Sequence, residues 1–134
     1  MKTILATCLL LSTISSYAQQ SAVTDACAVV YNSQDTNVSS ELSVRNGDRI
    51  HNLNRVPLSR GGGDWDNKIT AMYVKQGCSL TGYQYQNFNI DLRTGQALQG
   101  FAQVFENTAV PGYGYFVLDE YTNNKISSLK CTCP

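Results

Sequence analysis

The chain has 134 residues, ten Lys and Arg against ten Asp and Glu, and five cysteines. That length holds one domain, and zero net charge lacks the basic surplus of a nucleic-acid or anionic-membrane binder. Three prolines and ten glycines are too few for a collagenous or low-complexity chain, while 43% hydrophobic residues suffice for one core.

The N-terminus reads as a secretory leader. Lys2 supplies the positive start, Ile4 to Leu11 an apolar run, and Ser16-Tyr17-Ala18 the small residues two apart that precede cleavage. The run is too short to span a bilayer. The expected organisation is a signal peptide at 1–18 and one secreted domain at 19–134. Cys8 leaves with the leader, which turns the odd cysteine count into four.

Beyond the leader the chain reads as short strands. Ala28 to Tyr31 is an apolar run. Leu42, Val44 and Ile50 flank Asn46-Gly47, a pattern that predicts a hairpin. Ile69, Met72 and Val74 mark a further strand, as do Phe101 to Phe105 and Tyr115 to Leu118. Gly61-Gly62-Gly63, Thr94-Gly95 and Pro111-Gly112 punctuate them. No stretch of helical length shows helical periodicity, so an all-β sandwich or barrel is predicted.

Secretion makes disulfides of Cys27, Cys78, Cys131 and Cys133. Cys131 and Cys133, one residue apart, are read as diverging, which disfavours a bond between them. Two pairings remain, each tying the tail to both Cys27 and Cys78. A zinc site is disfavoured because the Cys-x-Cys pair has no second tight pair and His51 is the lone histidine.

Catalytic sets are absent from the pattern. His51 has no nucleophile signature around it, and the neighbours Asp119 and Glu120 face opposite sides of a strand. The triple glycine lacks the Gly-Lys-Ser/Thr of a phosphate loop. A non-enzymatic protein is expected. Tyr83, Tyr85, Tyr113 and Tyr115 offer stacking faces for a carbohydrate target, although core and corner packing is the simpler use. Asn37-Val38-Ser39 is a glycosylation sequon if the source is eukaryotic.

An internal repeat carries the most information. Trp65-Asp66-Asn67-Lys68-Ile69-Thr70-Ala71-Met72 returns as Thr122-Asn123-Asn124-Lys125-Ile126-Ser127-Ser128-Leu129. Ahead of each copy a cysteine opens a strand that ends in tyrosine, Cys27 to Tyr31 and Cys78 to Tyr83. Two copies of one unit are implied, at about 26–75 and 76–134.

These residues resemble the βγ-crystallins, whose unit is a Greek key of four strands, paired into a two-sheet sandwich. Calcium-binding members carry two Asn/Asp, two variable residues, a Ser/Thr and a Ser. Asn123 to Ser128 matches throughout, and Asp66 to Ala71 matches except at Ala71. Tyr83 to Phe88 looks like the family's opening aromatic hairpin. Ile90, and Val38 in the first unit, stand where the family has a glycine, so reshaped hairpins are expected.

The resemblance implies two calcium sites. One joins Thr70 with Asn124 and the Lys125 carbonyl; the other joins Ser127 with Asn67 and the Lys68 carbonyl. Carbonyls near Asn32 and Gln84 complete them, and Asp66 and Asn123 lead the two stretches. The chemistry suits calcium, which takes six to eight oxygens from amides, hydroxyls, carbonyls and carboxylates. Asp66 is the one acidic residue in the two stretches, which implies modest affinity fitted to extracellular calcium. The expected function is a secreted calcium-binding protein with no nucleic-acid or membrane partner. The alternative is a toxin, antimicrobial or protease inhibitor that binds an unidentified target on the same fold.

Overall fold

Ala28, Val29, Val30 and Tyr31 form β1 (Ala28–Tyr31), and all four are buried because the strand runs through the middle of a sheet. In the computed structural model, which describes residues 25–134, eight strands are arranged in two four-stranded antiparallel sheets. The expected leader, Cys8 and the cleavage point after Ala18 lie outside the described residues. No helix among the described residues is long and apolar enough to cross a membrane.

Sheet one has the order β2 (Glu41–Val44), β1, β4 (Ala71–Lys75), β7 (Tyr113–Val117). Sheet two has the order β3 (Arg49–Ile50), β8 (Ser128–Thr132), β5 (Ser79–Tyr83), β6 (Ala102–Glu106). Each half of the chain builds three neighbours of one sheet and sends its third strand to the other. β3 pairs with β8 through Arg49 opposite Lys130, and β7 pairs with β4 through Tyr115 opposite Tyr73. The result is two Greek keys related by a pseudo-twofold and packed as a sandwich.

The repeat is a repeat of burial. Ile69 and Ile126 are fully buried, as are Met72 and Leu129 and the leading Trp65 and Thr122. Each fully buried aliphatic side chain is worth ~1.5–3 kcal/mol. The two copies therefore supply matched halves of one core, joined by Leu53, Leu80 and Val74.

The Asn46-Gly47 hairpin is not present. Asp48 N donates to Arg45 O at 3.1 Å and Gly47 takes φ +86°, so the turn itself forms. The strands on either side of it belong to different sheets. The outgoing chain is captured by the tail: Gly47 N donates to Cys131 O and Cys131 N to Asp48 O. A local turn preference says nothing about which strand its exit will meet.

The bridges are Cys27–Cys131 and Cys78–Cys133. Cys131 and Cys133 do not diverge, because residues two apart in an extended chain share a side. The sulfurs of Cys27, Cys78 and Cys133 lie within 4.8 Å of one another. No tail-to-tail bond forms because each tail sulfur is bonded to a cysteine that immediately precedes another strand.

Candidate metal centre

Both repeated stretches fold into the same turn. Lys68 N donates to Trp65 O and Lys125 N to Thr122 O, each at 3.2 Å. The third residue of each turn takes positive φ, 55° at Asn67 and 54° at Asn124, a conformation that asparagine tolerates better than most residues. The turns are then stitched across the pseudo-twofold. Asn67 N donates to Ile126 O at 3.0 Å, and Asn124 N to Ile69 O at 3.1 Å.

The stitching brings each hydroxyl to the opposite amide. Thr70 Oγ1 lies 3.2 Å from Asn124 Oδ1, and Ser127 Oγ lies 3.4 Å from Asn67 Oδ1. Thr70 N is bonded to Tyr31 O and Ser127 N to Tyr83 O, which fixes each hydroxyl beside the end of an opening strand. Thr70 Oγ1 is also 3.5 Å from the Asn32 carbonyl. Gln84, Asn67, Asn124, Lys125 and Ser127 line one hollow together with Tyr85. Lys68 does not line it.

The donor set is entirely hard oxygen, and two further oxygens of the stretches are left without a hydrogen-bond donor. Asp66 Oδ1 and Asn123 Oδ1, the equivalent leading residues, are buried with no hydrogen-bond partner among the described residues. A buried acceptor without a donor costs about 1–3 kcal/mol. The Lys125 ammonium is held elsewhere, donating to Glu120 O at 3.1 Å and lying 5.8 Å from the Tyr121 ring centre.

Glycine's absence from the hairpins has a structural answer. Ile90 is extended, at φ −111° and ψ 127°. The left-handed residues are Asn87, Phe88 and Asn89 instead. Asn89 holds this turn by accepting from Tyr85 N and donating to Phe101 O, both at 2.8 Å. Phe88 packs 5.4 Å from Tyr83, ring centre to ring centre, which closes the aromatic hairpin. In the first unit no residue from Asn32 to Ser40 has positive φ, and Val38 is exposed.

Ser128, the last motif residue, braces the second hairpin. Its hydroxyl donates to Tyr85 O at 2.6 Å and accepts from Phe88 N at 3.0 Å. Ala71 has no hydroxyl for the same duty. The first hairpin is braced from within, where Ser39 Oγ accepts from Asn32 N and Ser33 N and Asn32 Oδ1 accepts from Ser40 N. No motif in the sequence marks Asn89 or Ser39 as a hairpin brace, and Tyr85 is marked there only as a stacking face and as part of the aromatic hairpin. Ser128 was legible as the motif's final serine.

The other candidates fall elsewhere. Tyr113 and Tyr115 lie on sheet one, Tyr83 on sheet two with Tyr85 just beyond it, so the four make no single stacking platform. Tyr113 hydroxyl donates to Ala26 O at 2.8 Å. Burial is the main cause of the rise in its pKa, with Asp25 adding to it. His51 packs against Phe88 with its ring tilted by 52°, 4.5 Å between ring centres. Asn37 is exposed, with its carbonyl accepting from Arg60.

Neither a protein-family model nor a curated protein matches the chain. Among solved structures it is similar to a betagamma-crystallin domain from Flavobacterium johnsoniae, with 22% identity over 80% of this chain and 94% of that one and a TM-score of 0.49. Paired Greek keys that exchange their third strands make the fold of this chain βγ-crystallin-like.

Proposed function

We propose that this chain is a secreted, non-enzymatic calcium-binding protein with two sites of shared ligands. One site takes Thr70, Asn124 and the carbonyls of Lys125 and Asn32. The other takes Ser127, Asn67 and the carbonyls of Lys68 and Gln84. The observation that carries the reading is the reciprocal pairing of Thr70 with Asn124 and Ser127 with Asn67. Each contact places a hydroxyl and an amide oxygen from opposite stretches within reach of one cation. The unpartnered Asp66 and Asn123 oxygens add to it.

Calcium would gather these oxygens without covalent chemistry. The residues themselves lock two halves of the sandwich at their shared edge, so occupancy favours the native state by linkage. Removing one hydroxyl at a time tests the assignment. Thr70→Ala and Ser127→Ala should each bind one calcium where the parent binds two, as counted by equilibrium dialysis. Loss of neither site, or of both from either change, contradicts the reciprocal ligand sets.

A further inference from the structure

The two halves differ in the segment that joins their first two strands. Between β1 and β2 the chain needs residues 32–40, whereas between β5 and β6 it runs through residues 84–101, about twice the length. The extra chain is not slack. Ile90 pairs with Ala97, Asp91 N donates to Gln96 O at 2.9 Å, Gly95 N to Asp91 O at 2.7 Å and Leu98 N to Asn89 O at 2.7 Å. It is a small ordered hairpin added to the second unit.

This hairpin exposes aliphatic side chains in place of burying them. Leu92 is 74% exposed and Leu98 41%, with Ile90 and Tyr85 exposed beside them. Together they edge an open hollow of about 450 Å³. A second hollow adjoins it and shares Gln86, Asn87 and Leu92. Arg93 stands on the first, its side chain 91% exposed, and Arg55 and His51 on the second. Arg49 and Lys130 flank the neighbouring Phe88 at 5.0 and 4.2 Å. Asp91 is the one carboxylate lining either hollow, and it already faces Arg93 at 3.8 Å.

A chain of zero net charge thus sets Arg55 and Arg93 against the single carboxylate of Asp91 around an exposed aliphatic tip, with Arg49 and Lys130 over the adjacent Phe88 ring. We propose that this face docks on a lipid bilayer carrying anionic headgroups, with Leu92 and its aliphatic neighbours entering the interface and Arg49, Arg55, Arg93 and Lys130 meeting the phosphates. Both halves of the match are needed. Aliphatic side chains gain from the acyl boundary, and each nearby Lys or Arg adds attraction to an anionic leaflet. A soluble polyanion would use the cations and leave Leu92 in water. Whole-chain charge hid this face from the sequence reading, because the offsetting acids lie elsewhere.

Flotation with liposomes, in chelator so that metal plays no part, tests it. The protein should float with phosphatidylcholine vesicles containing 30% phosphatidylglycerol and stay behind with phosphatidylcholine alone. Leu92→Asp, at an exposed position that leaves the fold intact, should weaken binding by about tenfold or more, and Arg55→Glu with Arg93→Glu likewise. Absence of binding to anionic vesicles overturns the proposal. So does binding that neither variant weakens, and so does retention on heparin without binding to vesicles, which assigns the face to a soluble polyanion.

Discussion

At the scale of single residues, the carboxylate of Asp119 shows how the turn before the second stretch is set. It accepts from Thr122 Oγ1 at 2.8 Å, Thr122 N at 2.9 Å and Tyr121 N at 3.1 Å. The Thr122 hydroxyl is the largest cause holding this carboxyl below the usual range, followed by the Thr122 amide. A lowered carboxylate contributes stability above its ordinary pKa, and the contribution is lost as pH falls through the lowered value. In Thr122→Val the Asp119 titration, followed by NMR, should move up toward the ordinary carboxylate range; an unmoved titration contradicts this account. Thr70, Ser127, Asn67 and Asn124 were legible because the sequence repeats them. The left-handed Phe88 was not. A bulky residue at positive φ has no sequence preference to announce it, and packing against Tyr83, His51 and Arg49 surrounds it only in the folded chain.

At the scale of elements, β5 and the second stretch fit through Gly82. A Cβ at Gly82 would meet Ile126 Cδ1 at 2.6 Å, and Ile126 is fully buried immediately before Ser127. Gly82→Ala should destabilise the protein by about 1–3 kcal/mol through overpacking, measured by urea unfolding. Ile126→Val, which removes the nearest atom, should recover part of that loss in the double variant. Additive costs would place the strain somewhere other than this contact. Strands were largely legible from runs such as Ala28 to Tyr31 and Tyr115 to Leu118. The partners of β3 and β8 were not. β3 has two residues and no hydrophobic period to read, and its place depends on a tail more than seventy positions away.

At the scale of the whole molecule, the exchange of β3 and β7 makes each sheet a joint product of both halves. The Cys27–Cys131 bridge reinforces that union by crossing between the halves, while Cys78–Cys133 closes the second half on its own tail. The reciprocal hydroxyl–amide pairs lie where the halves meet, so the proposed metal sites and the sandwich depend on the same symmetry. This much followed from the repeat, because two copies of a unit with one buried face each must cover each other. The added hairpin at 90–98 did not follow from it, as an insertion breaks the periodicity that made the rest readable.

Isothermal calorimetry of the oxidised, purified protein titrated with calcium, with melting temperature followed on the same sample, decides whether the two stretches bind the ion. Two calcium ions per chain are expected, bound with the modest affinity of sites poor in carboxylates, with a rise in melting temperature at millimolar calcium. At a hundredfold excess over Kd, one site alone adds ~2.7 kcal/mol to stability. No heat of binding together with an unchanged melting temperature would contradict calcium binding by these stretches.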